Sequence, residues 1–206
     1  MRLLAVCAVT LFVAGCASRP TASSELDAPP PAPGPVNEAG LSVERAGVAR
    51  RFRGIVLQDE AGRRVNLFDE LVRDRVVVIN FMYVTCTGTC PGTSANLAQV
   101  QALLGDEARF VSISLDPERD TPPVLAEYAR RYGARPGWSF LTGDKREIEA
   151  LRKSLGFYDP DPVVDADRSQ HAGILLYGNE PIVRWAHMPS LAPPEQIAAG
   201  VRRVMP

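Results

Sequence analysis

Cysteine and histidine are scarce in this chain: 206 residues hold four of the first and two of the second. So few thiols exclude a scaffold stapled by many disulfides, and each cysteine has to be accounted for by itself. A strong charge of either sign is also missing. The net charge is −1 and the isoelectric point is near 6.2, so nothing in the composition draws the chain to nucleic acid. Lysine occurs only at Lys145 and Lys153, with arginine supplying every other base, a compositional bias without functional content. No apolar run is long enough to span a bilayer, because Leu3 to Ala14 is only twelve residues. Internal repeats are absent.

What is there begins with a targeting segment. Arg2 supplies a short positive region, Leu3 to Ala14 an apolar one, and Val13-Ala14-Gly15-Cys16 is similar to a bacterial lipobox with Cys16 as the lipidated residue. Residues 1–15 are therefore expected to be a lipoprotein signal peptide, and the protein to be exported and anchored by lipid, facing the periplasm or another extracytoplasmic space. Cys7 then leaves with the signal peptide and Cys16 carries lipid, so Cys86 and Cys90 remain as the thiols. Residues 16–45 read as a tether, with a polyproline-II stretch over Ala28-Pro29-Pro30-Pro31-Ala32-Pro33-Gly34-Pro35. Residues 46–206 are long enough for one domain with its own core.

Within that domain, Phe52 to Leu57 and Arg64 to Leu67 read as a hairpin around Asp59-Glu60-Ala61-Gly62. Arg75 to Tyr83, with three consecutive valines, reads as a buried central strand. Leu97, Val100, Gln101 and Leu104 lie at helical spacing over Thr93 to Leu104, with Gly105 as the stop. Ala108 to Leu115 is a strand, and Asp120-Thr121-Pro122-Pro123 opens a helix that buries Val124, Leu125, Tyr128 and Tyr132. Trp138 to Leu141 is a strand and Asp144 to Leu155 an amphipathic helix. Ala172 to Tyr177 and Ile182 to Trp185 form a hairpin across Gly178-Asn179-Glu180, and Pro193 to Val204 closes the chain as a helix. This order predicts an α/β fold, a thioredoxin-like domain with an added N-terminal β-hairpin.

The chemistry points to Cys86 and Cys90, placed where a strand ends and a helix begins, with Pro91 suited to the first helical turn. Backbone N–H groups and the helix dipole there favour thiolate over thiol. If the chain is helical from Cys86 to Cys90, the Cα atoms lie about 6 Å apart, within disulfide reach; a looped Cys86 comes closer. Thiolates also select Cu(I) or zinc, and imidazole suits both copper states. A third ligand has to come from elsewhere. His171, before the apolar run from Ala172, is the expected one, after a stretch Asp165 to Gln170 that reads as an exposed loop. His187 is a weaker candidate, and Met188 is better explained by packing. Asp116 is expected either to tune the site or, more simply, to bond within its own turn, and Arg119 to pair locally with Asp120.

Phe81-Met82-Tyr83-Val84-Thr85-Cys86-Thr87-Gly88-Thr89-Cys90-Pro91 resembles the Cys-x-x-x-Cys-Pro signature of the Sco/SenC family. Ser112-Ile113-Ser114-Leu115-Asp116-Pro117-Glu118-Arg119-Asp120-Thr121-Pro122 resembles that family's second signature, and Leu125 to Tyr128 and Trp138 to Gly143 fit as well. His171, about eighty residues after Cys90, stands where the family places its metal-binding histidine. The resemblance covers about residues 50 to 205. The chain departs from it in having Thr87 where many members have proline after the first cysteine, and Gln170 and Ala172 in place of the usual neighbours of the histidine.

The resemblance implies one copper per chain, as Cu(I) or Cu(II), held by Cys86, Cys90 and His171. It also implies a role in assembling the copper centre of cytochrome c oxidase or a related copper enzyme, as metallochaperone, as thiol reductant of the client, or both. The partners it implies are the oxidase copper subunit or a similar client, a periplasmic copper donor or thiol reductant, and the membrane through the lipid anchor. The competing reading is a metal-independent exported thiol–disulfide oxidoreductase using the redox pair Cys86 and Cys90 without His171. A peroxidase of the peroxiredoxin type fits less well, because Tyr83 occupies the place of its proline.

Overall fold

In the computed structural model, residues 43–166 and 173–206 are described. They form α1 (Val43–Phe52), β1 (Val56–Gln58), β2 (Arg64–Asn66), a wide helical turn (Leu67–Val72), β3 (Val76–Met82), α2 (Thr89–Leu104), β4 (Arg109–Ser114), α3 (Pro122–Arg131), β5 (Trp138–Leu141), α4 (Lys145–Ser154), the short α5 (Pro162–Ala166), β6 (Ile174–Asn179), β7 (Arg184–Pro189) and α6 (Pro194–Arg202). Five strands make one sheet in the order β5-β4-β3-β6-β7, with β3, β4 and β5 parallel and β6 and β7 antiparallel to their neighbours. This is the expected thioredoxin-like α/β arrangement. The added hairpin is β1 with β2, fastened to the end of β5 by the mutual backbone bonds of Gln58 and Thr142 at 2.7 and 2.9 Å.

The valine-rich run lies at the centre because both of its faces are covered. Val78 and Met82 join one apolar layer, Val77, Ile79 and Phe81 the other. A strand with helices on both sides has no solvent face, so its apolar residues run on without alternation. Leu97, Val100 and Leu104 of α2, Leu125 and Tyr128 of α3 and Ile197 and Val201 of α6 complete the first layer. Ala49 and Phe52 of α1, the wide turn's Leu67, Phe68 and Val72, and Ile148 and Leu151 of α4 complete the second. Each such side chain contributes roughly 1.5–3 kcal/mol when fully buried. A slip of β3 by one residue would exchange the two sets of neighbours and mismatch both layers.

Several boundaries differ from the sequence reading. Phe52 does not start a strand: it ends α1, and its ring packs 5.6 Å from that of Trp185. The sequence pattern gives no sign of α1, because the segment is rich in arginine and buries few residues. On α3 only Leu125 and Tyr128 are buried, whereas Val124 is 37% exposed and Tyr132 is half-buried. The last hairpin turns later than expected, since Asn179 pairs with Arg184 and the turn is Glu180 to Val183, with Ile182 exposed. Val183 adopts a φ of 57°, unusual for a β-branched residue, and this left-handed step closes the turn without a glycine there. Part of the expected loop before residue 171 is the short helix α5.

Candidate redox and metal site

The site grows out of the end of β3. After Met82 the chain turns, and the Cys86 N–H donates to the Tyr83 carbonyl at 3.2 Å. Cys86 is therefore in the turn and not helical; α2 begins at Thr89, with Gly88 as its cap, Cys90 second and Pro91 third. Gly88 offers no side-chain oxygen to the free N–H groups of the first turn. The Cys86 sulfur takes that role, accepting from the backbone N–H groups of Gly88 and Cys90. A sulfur bearing negative charge is the better acceptor at this helix end, so the fold favours the thiolate. Cys86 is 6% exposed and Cys90 1%, and both are free thiols.

The two thiols are hydrogen-bonded to each other and differ in acidity. Burial pushes the Cys90 thiol up, and its bond to Cys86 adds to this, so that it rises to about 12. Burial acts in the same direction on Cys86, but the bonds from the Cys90 thiol, the Cys90 and Gly88 amides and the Tyr83 side chain outweigh it and hold Cys86 below its ordinary value. The turn thus carries one nucleophilic sulfur and one sulfur that keeps its proton and donates it to the first.

A buried carboxylate holds the turn from behind. Asp120 is 1% exposed, and its Oδ2 accepts from the Val84 N–H at 3.0 Å and the Ser114 hydroxyl at 2.6 Å. Ser114 Oγ in turn accepts from the Asp116 N–H at 3.0 Å. Desolvation raises the Asp120 carboxyl above its ordinary value, with the Ser114 and Val84 bonds opposing it. The helix cap is Thr121, and Arg119 lies 3.8 Å from Asp116, so the expected Arg119–Asp120 ion pair is replaced by Arg119 with Asp116. Asp116 also bonds within its own turn, its carbonyl accepting from the N–H groups of Arg119 and Asp120 at 3.0 and 2.8 Å.

His171 and Cys16 lie outside the described residues. His187 is on β7 beside Leu155 and Phe157: its Nε2 donates to the Leu155 carbonyl at 2.9 Å, and its ring is 5.6 Å from that of Phe157. Trp185, with the same strand parity, packs in the α1–α4 layer, whereas the two cysteines belong to the α2 layer. The sheet therefore separates His187 from the thiols. Met188 faces the α2 layer and packs on α6, where its Cε lies near Gly200. Among the described residues no group of three His, Cys, Asp or Glu side chains could hold a metal. The donors brought together are two adjacent soft sulfurs, which fit Cu(I) or another thiophilic ion and leave a further ligand to come from outside the described residues.

Reading the sequence singles out the two thiols but misses Asp120 as the support of the turn and Tyr83 as a partner of Cys86. The available signal is position: Asp120 follows the strand neighbouring β3, and such strand ends in a parallel sheet gather at one edge.

The SCO1/SenC family model matches residues 46–206, and the chain belongs to that family. The SCO1 protein homolog of Bacillus subtilis is 34% identical over 97 residues, covering 45% of this chain and 49% of that protein. The chain spans about half the length of the curated relatives it matches. Bradyrhizobium japonicum ScoI, whose structure was solved with copper bound, superposes with a TM-score of 0.58 at 26% identity, over 73% of this chain and 96% of that one. BsSco, described as a member of the Sco family of cytochrome c oxidase assembly proteins with a disulfide switch, superposes with a TM-score of 0.60 at 25% identity, over 73% and 90% of the two chains.

Proposed function

From membership of the SCO1/SenC family and the paired thiols, we propose that this protein is a copper-binding assembly factor for the copper centre of cytochrome c oxidase or a related enzyme. The observation that carries the reading is the pair Cys86, in the turn before α2, and Cys90, in its first turn, hydrogen-bonded to each other. Copper is the cargo. Cys86 and Cys90 hold it, and His171 supplies the nitrogen ligand that Cu(II) prefers. Support comes from the copper bound to Bradyrhizobium japonicum ScoI. The lipobox-like segment supports export and anchoring through Cys16.

The unequal acidity of the thiols also supports a second reading, reduction of a client disulfide. The Cys86 thiolate attacks one client sulfur, forming a mixed disulfide and releasing the other client sulfur as thiolate, which takes up a proton. Cys90 then loses its proton and attacks Cys86, closing the Cys86–Cys90 disulfide and releasing the second client thiol. The client disulfide gains two electrons and the dithiol loses two.

Metal analysis and absorption spectroscopy of the reduced protein test the first reading. About one copper per chain is expected, with thiolate-to-copper absorption in the Cu(II) form. His171→Ala should largely abolish the stable Cu(II) form, weaken Cu(I) retention only in part and leave disulfide cycling intact. His187→Ala should leave both copper forms nearly unchanged. Loss of the Cu(II) spectrum in His187→Ala, with His171→Ala unchanged, would mean that the wrong histidine is assigned. Copper binding indifferent to both changes and to oxidation of the thiols would leave the oxidoreductase reading in its place.

A further inference from the structure

Gly47, Arg50 and Arg51 share one side of α1, at spacings of three and four residues. A glycine inside so short a helix weakens it. Here it also leaves room. That side of α1 borders a cavity of about 580 Å³, bounded as well by β6, β7 and the end of α4. Buried Phe52, Leu155 and Leu176 and half-buried Val48, Val183 and Trp185 give the cavity an apolar lining. Its charged and ionisable lining is Arg50, Arg51 and His187, with no carboxylate. The Arg50 guanidinium lies back over Gly47, where an added Cβ would stand 3.6 Å from its Nη2.

Basic side chains in a last helical turn already answer the helix dipole. On α3 the corresponding pair, Arg130 and Arg131, has an acid beside it: Glu127 bonds Arg130 and feels the charge of Arg131. On α1 the match is missing. Arg50 and Arg51 are both exposed, and neither forms an ion pair among the described residues. Two adjacent cations therefore stand over an apolar hollow without an anion to meet them. The volume of the hollow lies within the range that encloses small ligands, about 300–1,000 Å³.

We infer that this cavity is a binding site for an amphipathic anion, a carboxylate or sulfonate carried on an apolar body. Arg50 and Arg51 receive the charge, the lining around Trp185 receives the body, and Gly47 leaves the opening between them. The site goes beyond the copper and thiol chemistry. Phe52, Leu155, Leu176 and Trp185 belong to the α1–α4 layer and the two cysteines to the α2 layer, with the sheet between.

The probe is anilinonaphthalene sulfonate, followed by its fluorescence on titration with the protein. It should bind about tenfold more tightly than phenylnaphthylamine, which has the same rings without the charge. Dodecanoate should displace it and dodecanol should not. Arg50→Gln combined with Arg51→Gln should weaken the probe about tenfold. Gly47→Leu, which suits a helix and fills the opening, should abolish its binding. Arg130→Gln combined with Arg131→Gln, the same loss of charge on α3, should change nothing. Each of these variants should react with Ellman's reagent at the wild-type rate. Equal affinity for the charged and neutral probes, or binding indifferent to both the α1 arginine pair and Gly47→Leu, would overturn the site. So would displacement by phosphatidylglycerol vesicles and not by dodecanoate, which would make a membrane surface the occupant.

Discussion

Arg152 and Cys90 are equally hidden, 2% and 1% exposed, yet the molecule treats them in opposite ways. Arg152 is neutralised from every side. Its guanidinium forks onto both Asp165 oxygens at 2.8 Å, bonds Glu149 through Nε and Nη2, and donates to the Phe157 carbonyl. Asp165 also accepts from the Asp159 N–H at 3.0 Å, so the cluster ties α4, α5 and the intervening chain together. Lys153 lies 3.7 Å from both carboxylates, so two cations face two anions and no charge is left over for chemistry. The thiol turn instead surrounds Cys86 with N–H, S–H and O–H donors, from the Gly88 and Cys90 amides, the Cys90 thiol and Tyr83. Buried polarity matched with opposite charge fixes a structure; buried donors aimed at one sulfur stabilise a form of it that reacts.

The first way to break this comparison is to remove Arg152. Arg152→Met takes the bidentate guanidinium from Asp165, leaving it the Asp159 N–H and the more distant Lys153, and should cost about 3–5 kcal/mol in urea unfolding. The Cys86 thiol should keep its acidity, since nothing in the cluster bonds to it. A loss below about 1 kcal/mol would remove the structural role assigned to the cluster.

Asp120 joins the two categories, a buried carboxylate that serves the reactive turn, and its replacement sharpens the contrast. Asp120→Ala leaves the Val84 N–H and the Ser114 hydroxyl without their acceptor and should cost about 1–3 kcal/mol. It should also slow alkylation of Cys86. Asp120→Asn keeps an acceptor oxygen, and because burial already raises this carboxyl, loss of its charge should be the milder change. If alanine and wild type show the same thiol reactivity, Asp120 supports the fold and not the turn.

The smallest effect on stability, and the most direct probe of the turn, is the pH profile of the thiols. Cys86 is shifted below its ordinary value, so its thiolate persists to lower pH than a free cysteine, and its alkylation should fall only as pH drops through that lowered value. Cys90 is raised to about 12, so it should stay protonated and unmodified across the neutral and mildly alkaline range. Mass spectrometric mapping of iodoacetamide adducts separates the two. Equal labelling at neutral pH would contradict the assigned roles.

Sequence reading succeeds where short-range pattern decides. The valines of β3, the spacing of Leu97, Val100 and Leu104, and Gly105 after them mark a strand and a helix whose bounds need no distant partner. Trp138–Leu141 is legible for the same reason. Sequence reading fails where a distant partner decides. Phe52 looks like the start of a strand because α1 is held by packing against the sheet and not by its own weak amphipathicity. Val124 looks like a core residue because helical spacing gives a stripe but not its edge, which depends on where α3 crosses the sheet.

By itself, then, the sequence determined that two thiols stand at a strand-to-helix turn, because that depends on neighbours a few residues away. It also determined that few other ligands exist, because that is a matter of counting. Only the tertiary structure decided what surrounds them. The bond from Val84 to Asp120 spans 36 residues, and that between Thr93 and Ser190 spans 97. The face of the sheet on which His187 lies is set by the register of β7 on β6. Such contacts rest on strand order, register and helix crossing, which arise from packing the whole core at once and leave no local mark on the residues that make them.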